Sequence, residues 1–192
     1  MGIFVFRIHF QHTLRPMNEE APAEALPLVT SAQMQSWDRT AIQELGVPER
    51  VLMESAGRAA ARIVHELYPT GRVVAAVGGG NNGGDAVVLL RTLLSWGREV
   101  EAVPVAGASI PEELLHGWRV PIASGDPAVA FRSAEVIVDG IIGTGARGAP
   151  REPQAGVVLA MGGFVFDPAK AVARSAGSRA RASRARSVAG RG

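Results

Sequence analysis

The sequence predicts an α/β protein in which a parallel β-sheet lies between two layers of helices, a three-layer αβα sandwich. Three observations support this fold. Short, continuous apolar runs are typical of strands that are buried on both faces of a parallel sheet. These runs alternate along the chain with longer segments of helical period, and each run ends in small residues. In such sheets ligands bind beyond the carboxyl ends of the strands, so the loops at those ends are the candidate site.

Two helices are predicted before the first strand of the sheet. Thr30 and Gln33 have the spacing of a capping box, and Gly46 followed by Pro48 ends the first helix. The second helix starts near Pro48 and ends at Pro69. The apolar positions are Met34, Trp37, Ala41 and Leu45 in the first helix and Leu52, Ala56, Ala60, Ile63, Val64 and Leu67 in the second.

The strands and the remaining helices are predicted where the spacing of the apolar residues changes between a helical period and a short continuous run. The run RVVAAV (72–77) predicts a strand, and a helix follows it over 84–97. A second strand is predicted over 99–105, with a short helix over 111–118. The third strand, 136–138, runs into a second glycine turn. The loops after the first and third strands then lie at the same edge of the sheet.

Composition excludes several classes of function. The 192 residues are enough for one domain with a real core. The absence of cysteine excludes disulfides, thiolate zinc sites and cysteine nucleophiles. The four histidines form no H-x-x-x-H pair, which argues against a transition-metal site. No apolar run approaches ~20 residues, and the N-terminus has no secretory pattern, so we expect a cytoplasmic protein without a membrane span.

The two ends of the chain differ in composition from its centre. Residues 168–192 contain six arginines, Lys170 and no acid, a charge of +7, whereas the whole chain is +2, so residues 1–167 carry −5. Such an Arg/Ser/Ala-rich tail is predicted to be disordered, and nucleic-acid binding by the folded part is not expected. Residues 1–26 are predicted to be a disordered extension, with Met17 as an alternative start, and 27–167 to be the folded domain.

The first glycine loop, GGGNNGGD, resembles known phosphate-binding loops only in part. A nucleoside-triphosphate loop needs a lysine after its glycines, and the chain has only Lys170. Gly78, Gly80 and Gly83 have the spacing of a dinucleotide-binding loop. However, Asp85 would place a negative charge at the helix end that receives a pyrophosphate.

The polar side chains of this loop support a third interpretation. Asn81 and Asn82 supply amide groups, and Asp85 supplies a carboxylate. Together they suit a neutral, hydroxyl-rich ligand or a hard cation that needs oxygen ligands. The alternative is structural, with the asparagines forming a tight turn and Asp85 capping the helix.

The second glycine loop, GIIGTGARG, follows Asp139 at the end of the third strand. Asp139 is either an Asx-turn residue or an oxygen ligand or ribose contact at the sheet edge. The backbone N–H groups from Gly143 to Ala149, together with Thr144, would suit a phosphate. Arg147 would add a charge-assisted hydrogen bond.

Three motifs, in this order, resemble the NAD(P)H-hydrate epimerase family, the YjeF N-terminal domain. MESAG (Met53 to Gly57) matches the family's MExAG element. GGGNNGGD matches its GxGNNGGDG loop, and VDGIIGTG matches its vvDalfGtG loop. The resemblance extends from about Leu28 to Pro153.

The resemblance implies a Rossmann-like αβα sandwich with two N-terminal helices, and an isomerase that interconverts the R and S hydrates of NADH and NADPH (NADHX and NADPHX). It implies one potassium ion per subunit, bound by Asn82 and Asp139. As functional partner it implies an ADP- or ATP-dependent NAD(P)H-hydrate dehydratase. The oligomeric state is left open by the sequence, and a homodimer is one alternative. The implied substrate contacts are Asn81, Asn82, Gly83, Gly84, Asp85, Gly143, Thr144, Gly145, Ala146, Arg147, Gly148 and Ala149.

The chain departs from the family pattern near its end. The family continues to a vDiPSG segment, whereas this chain reads FVFDPA, with Asp167 in the place of the aspartate and without the serine and glycine. Asp167 is therefore the candidate acid–base residue, and we expect weaker hydrate binding and slower epimerisation than in a chain with the full segment. Two other functions stay open: an inactive dinucleotide-binding module, and an interaction protein whose basic tail binds nucleic acid.

Overall fold

A four-stranded sheet organises the chain in the computed structural model, which describes residues 8–10, 29–105, 108–143 and 152–161. The strands lie in the order β1–β4–β2–β3, where β1 is Ile8–Phe10, β2 Val73–Val77, β3 Val100–Pro104 and β4 Val136–Gly140. Strands β3, β2 and β4 are parallel, and β1 pairs antiparallel with β4. The three predicted strands are confirmed.

Helices cover both faces of this sheet. They are α1 (Ser31–Arg39), which continues into a π-helical turn (Thr40–Glu44), α2 (Glu49–Leu67), α3 (Asn81–Ser95), α4 (Glu112–Leu115), α5 (Pro127–Arg132) and α6 (Gln154–Ala160). Alternate residues of β2 point into two separate hydrophobic cores. Helices α2, α3 and α4 contribute to one core, and α5 and α6 to the other. The αβα sandwich is therefore confirmed.

The first predicted helix forms, but its apolar face is not buried. The capping box is present: the Gln33 N–H donates to the Thr30 hydroxyl at 3.2 Å, and the Thr30 N–H donates to the Gln33 side chain at 2.8 Å. Gly46, at a φ of +68°, ends the helical segment as predicted. Trp37 and Leu45 are 55 % and 73 % exposed, because none of the described elements packs over this face.

Helix α2 packs closely on α3 through its small residues, as its sequence predicts. A Cβ atom built on Gly57 would lie 2.5 Å from the Cβ of Val88, so only glycine allows this approach. The buried face of α2 is narrower than the predicted apolar stripe, however. Ile63 and Leu67 belong to that stripe, but both stay exposed because α3 contacts α2 along its small residues.

Helix α3 begins at Asn81, three residues before the predicted start at Gly84. The Gly84 N–H donates to the carbonyl of Gly80 at 3.1 Å, so the asparagines belong to the first helical turn rather than to a loop. A Cβ on residue 83 would overlap the carbonyl oxygen of Gly78, so the chain can turn this early only because residue 83 is a glycine. Without that Cβ, the first turn of the helix rests directly on the end of β2.

The N-terminal segment contains one described element. The sequence predicts disorder over residues 1–26, whereas Ile8–Phe10 form β1, with Ile8 opposite Val138. The edge of β4 offers unpaired backbone groups to a further strand, which is the physical reason for this pairing. The other residues of the extension and the whole tail, 168–192, lie outside the described residues, so the domain limits stay predictions.

We expect Gly83→Ala to destabilise the fold, because the added Cβ overlaps a backbone carbonyl that cannot move independently of β2. Overpacking in a core typically costs about 1–3 kcal/mol, which would lower the Tm by at least about 2–4 °C. Thermal unfolding followed by circular dichroism measures this change.

Gly80→Ala is the matched control, since no atom lies within 4 Å of a Cβ at Gly80 and its φ of −108° suits any residue. We expect the Gly80 variant to unfold within about 1–2 °C of the parent, a shift of under about 0.5 kcal/mol. Equal Tm values for the Gly80 and Gly83 variants would contradict the tight backbone contact.

Candidate functional site

Both small-residue loops leave the sheet at the same edge. Strands β2 and β4 are parallel neighbours, and Val77 lies opposite Gly140. The Gly78 N–H then donates to the Gly140 carbonyl at 3.1 Å, which holds the two chain exits together. The structure thus places the start of α3 and the segment after β4 beside each other at the carboxyl ends of the strands.

Asn82 lies between these two exits. Asn82 is 9 % exposed, and its Nδ2 atom is buried without a hydrogen-bond partner among the described residues. A Cβ on Gly143 would lie 3.4 Å from the Cβ of Asn82, and a Cβ on Gly140 would lie 3.2 Å from its carbonyl oxygen. A buried amide group without a partner is costly, so this side chain has unused capacity for a ligand.

Asp139 lies in the last part of β4, opposite Ala76 of β2. One of its oxygens, Oδ1, accepts a hydrogen bond from the Ile141 N–H at 3.0 Å, which is the Asx-turn arrangement. Its other oxygen, Oδ2, has no donor in the described part of the chain. The turn geometry and a free carboxylate oxygen are therefore both present at this residue.

Asn81 and Asp85 point to a different place from Asn82. They are four residues apart in α3, so they share one helix face, and this face is turned toward the N-terminal helices. They line a cavity of about 120 Å³ together with Asp38, Ile42, Glu49, Leu52, Met53 and Ala56. The Asn81 amide donates to the Glu49 carboxylate at 2.6 Å. The predicted substrate residues thus divide between this cavity and the sheet edge.

The Asp85 carboxyl has an altered acidity. Burial, and to a smaller extent the negative charge of Asp38, raises the pKa of Asp85 to about 7. The carboxyl is half-buried and lies in the second turn of α3, beyond the free N–H groups of the first turn. It is therefore neither the helix cap nor the helix-opening charge that the sequence alone suggested.

Two acidic residues of the cavity, Asp38 and Glu49, were missed by sequence reasoning. Asp38 lies at the end of α1, and Glu49 is the first residue of α2. Neither belongs to a motif, and only the packing of the N-terminal helices against α3 brings them to Asp85. Within residues 29–105, 108–143 and 152–161, no group of three His, Asp or Glu side chains is arranged to hold a metal ion.

Several of the predicted site residues lie outside the described residues. Of the predicted substrate contacts in the second loop, only Gly143 is described. The others are Thr144, Gly145, Ala146, Arg147, Gly148 and Ala149, together with the candidate acid–base residue Asp167. Their roles stay predictions.

None of the described helices combines the length and the apolar character that crossing a bilayer requires.

Comparison with known proteins identifies the family of this chain. The family model described as "YjeF-related protein N-terminus" matches residues 49–162, which include α2, the sheet-edge loops and α6. This chain belongs to that family.

Relatives with curated names share the same region. An NAD(P)H-hydrate epimerase of Rhodopirellula baltica is 35 % identical over 149 residues, which are 72 % of this chain and 61 % of the relative. A bifunctional NAD(P)H-hydrate repair enzyme of Pyrobaculum aerophilum is 37 % identical over 159 residues, 69 % of this chain and 29 % of the relative. The chain therefore spans less than two thirds of the length of these relatives.

A solved structure shows the same fold. The crystal structure of the yeast protein ynu0 superposes with a TM-score of 0.62 at 26 % sequence identity, and the match covers 71 % of this chain and 65 % of the yeast chain. This similarity confirms the Rossmann-like sandwich of the family.

We expect Asp85→Asn to stabilise the protein at neutral pH but not in acid. The carboxyl ionises near 3.8 in the unfolded chain and near 7 in the folded one. Between these values the folded state keeps a proton that the unfolded state has lost, so the free energy of unfolding falls as the pH rises. The amide removes this cost.

Thermal unfolding of both proteins at pH 4 and pH 8 measures the effect. After allowance for solvent screening, the gain at pH 8 is on the order of 1 kcal/mol, or about 2–4 °C in Tm. It should shrink toward zero at pH 4. A gain of the same size at both pH values would show that Asp85 ionises normally in the fold.

Proposed function

We propose that the protein is an NAD(P)H-hydrate epimerase, an isomerase that interconverts the R and S forms of NADHX and NADPHX. Family membership and the names of its relatives support this activity. The structural observation that carries it is the Asp85 carboxyl, which titrates near neutral pH in a cavity beside the strand edge. A group with such a pKa can both donate and accept a proton at working pH.

The reaction requires this kind of group. The hydrate carries a hydroxyl on a ring carbon next to the ring nitrogen. The protonated carboxyl of Asp85 donates its proton to this hydroxyl, which leaves as water while the nitrogen lone pair forms a double bond to the carbon. Water then adds to the opposite face of the ring, its surplus proton returns to the Asp85 carboxylate, and the double bond reverts to the nitrogen lone pair. No electrons are exchanged with a second substrate.

The surroundings of Asp85 suit a hydrated ring. The Asn81 Nδ2 group donates a hydrogen bond to the Glu49 carboxylate. This bond orients the whole amide group, including its carbonyl oxygen. Leu52 and Met53 supply apolar surface in the same cavity. Gly80 has open space around it, so the backbone there can approach the substrate closely. We assign the loop from Gly143 to Ala149 to the phosphates of the substrate, as the resemblance implies.

The oxygen atoms of Asn82 and Asp139 support the proposal that the strand edge binds potassium. Asn82 and Asp139 carry amide and carboxylate oxygens, which are the ligand types that hard cations prefer. Oδ2 of Asp139 accepts no hydrogen bond from the described residues, so it is available to a cation at the strand edge. The side-chain oxygen of Asn82 would be the second ligand, whereas its unpartnered Nδ2 is a donor and is left for an acceptor on the substrate. The positive charge of the cation would attract the phosphate-bearing part of the substrate.

The wider setting follows from the same relatives. The bifunctional repair enzymes are longer than this chain, which spans 29 % of the Pyrobaculum protein and 24 % of the one from Methanothermobacter thermautotrophicus. We therefore propose that a cytoplasmic NAD(P)H-hydrate dehydratase, driven by ADP or ATP, consumes one of the two epimers. The homodimer stays part of this proposal.

We expect Asp85→Asn to slow epimerisation by about 10²–10⁴-fold, the usual contribution of a positioned acid–base group. The assay starts from pure R hydrate and follows the S form by chromatography, with the rate in buffer subtracted. Asp38→Asn should shift the basic limb of the kcat/KM profile to lower pH, because it removes the neighbouring charge that raises the Asp85 pKa. A role that was only structural would not move this limb.

Asp167→Asn is the comparison variant, because Asp167 is the candidate that the sequence resemblance names. If the Asp167 variant loses activity and the Asp85 variant keeps it, the acid–base assignment to Asp85 is wrong. If the parent chain neither binds the hydrate nor epimerises it, the proposed function itself is wrong.

We expect Asp139→Asn to remove the potassium dependence of hydrate binding. The amide oxygen can still accept from the Ile141 N–H, so the turn is kept while the carboxylate charge is lost. Calorimetric titration in potassium chloride and then in tetramethylammonium chloride measures the effect. The parent should bind more tightly in potassium, and the variant should bind equally weakly in both salts. A parent affinity that is the same in both salts would remove the cation from the proposal.

A further inference from the structure

A second cavity, of about 140 Å³, lies on the outer surface of the α2–α3 layer. It is lined by Arg58, Arg62, Arg91, Thr92, Ser95, Trp96 and Trp118, and we refer to it as the arginine–tryptophan pocket. Ser95 is thirteen residues beyond Asn82 in the same helix. At 1.5 Å per residue the two are separated by about 20 Å, so this pocket is distinct from the strand edge.

The pocket has an excess of positive charge. In the described chain, Glu54 is the carboxylate that pairs with Arg58 and Arg91 of the pocket. Glu54 also pairs with a further arginine, Arg50. Burial alone would raise the pKa of Glu54, but hydrogen bonds from Arg91 and Arg50 hold it below its ordinary value. Arg62 has no ion pair with any described residue. One carboxylate therefore faces at least three guanidinium groups, which suits an anionic ligand.

Arg91 is built into the floor of the pocket. Its side chain is only 8 % exposed, it pairs with Glu54, and it donates to the Leu114 carbonyl at 3.0 Å. Its guanidinium carbon lies 5.7 Å from the ring centre of Trp118, a cation–π distance. This buried arginine fixes both a positive charge and the position of an indole.

Two of the three tryptophans of the chain line this one pocket. Trp96 and Trp118 remain 45 % and 37 % exposed, although indole rings are usually buried. The ring of Trp96 is supported by His65, with ring centres 5.4 Å apart. Each indole is thus oriented by a neighbour while part of its surface stays free to stack on a planar ring.

The hydroxyl groups of the pocket can only accept from a ligand. The Thr92 hydroxyl donates to the Val88 carbonyl and the Ser95 hydroxyl to the Thr92 carbonyl, each at 2.7 Å. Their protons are therefore used within α3, and the oxygen lone pairs remain. Such acceptors complement the amino group of a nucleobase.

We propose that the arginine–tryptophan pocket binds a nucleoside phosphate, with its base against Trp96 or Trp118 and its phosphate on Arg58 and Arg62. A simple anion would not use the indoles, and an apolar ligand would not use the guanidinium groups. A nucleotide uses both, because aromatic stacking and arginine–phosphate pairing act on opposite ends of the same molecule. This inference does not depend on the proposed epimerase activity.

Calorimetric titration and tryptophan fluorescence of the full chain test the proposal, with adenosine 5′-monophosphate as the probe. We expect saturable quenching by this nucleotide, and binding of adenosine alone or inorganic phosphate alone that is at least about tenfold weaker. An acidic peptide that binds while the nucleotide does not would overturn the proposal in favour of a protein partner. Absence of nucleotide binding would overturn it as well.

Three variants locate the binding. Arg62→Ala removes a guanidinium without a protein ion pair, and Trp96→Ala removes one stacking surface, so each should weaken nucleotide binding by about tenfold. Arg132→Ala is the matched control, an exposed arginine on α5 at the other face of the sheet, and should bind as the parent does. Equal affinity for the parent, the Arg62 variant and the Trp96 variant would place the nucleotide elsewhere.

Asp139→Asn separates this proposal from the proposed function. Nucleotide binding that this variant loses would belong to the strand edge and would overturn the second site. Nucleotide binding that it keeps supports the second site. A chain that binds the nucleotide but does not epimerise the hydrate would contradict only the proposed function.

Discussion

The close backbone contact where β2, α3 and β4 meet is the constraint on which the rest of this structure depends. A Cβ on Gly78 would overlap the Ile141 carbonyl, and one on Gly83 would overlap the Gly78 carbonyl. A Cβ on Gly140 would lie 2.6 Å from the Cβ of Ala86. Three chain segments are therefore in direct backbone contact, and no larger residue can occupy these positions without moving a strand or a helix.

This contact explains the glycine spacing that resembles a dinucleotide loop. Gly78 and Gly83 are needed for packing, whereas Gly80 has open space and is free to approach a ligand. Because α3 starts immediately after Gly80, successive side chains of its first turn point in different directions. Asn82 faces the exit of β4, and Asp85 faces the N-terminal helices. The same contact that compacts the core thus directs polar side chains to two places.

Arginines join the helical layer to the rest of the domain. Arg98, after α3, donates to the carbonyl groups of Tyr68, Thr70 and Gly71 at 2.6–2.8 Å, which satisfies the turn that follows α2. Arg91 links α3 to α2 through Glu54 and to the end of α4 through Leu114. Charge-assisted bonds of this kind hold the helices at a fixed distance, so the cavities between and beside them keep their shape.

The sequence by itself determined the fold class, the three parallel strands and the family. The apolar run of β2 and the capping box at Thr30 are local signals, and each depends only on neighbouring residues. The short helices α5 and α6 were not predicted, because six and seven residues are too few for a clear apolar period. Nor was β1, which forms by pairing with an edge that lies far away in the sequence.

The tertiary structure decided how the site residues are arranged. The motif names Asn81 to Asp85 as a unit, but the early start of α3 separates Asn82 from the other polar residues, and only the packing of a helix on a strand reveals that start. The raised pKa of Asp85 depends on burial and on Asp38, 47 positions earlier in the chain. Burial and charge are properties of three-dimensional surroundings, so a residue's type and spacing predict its chemical group, and the fold sets its reactivity.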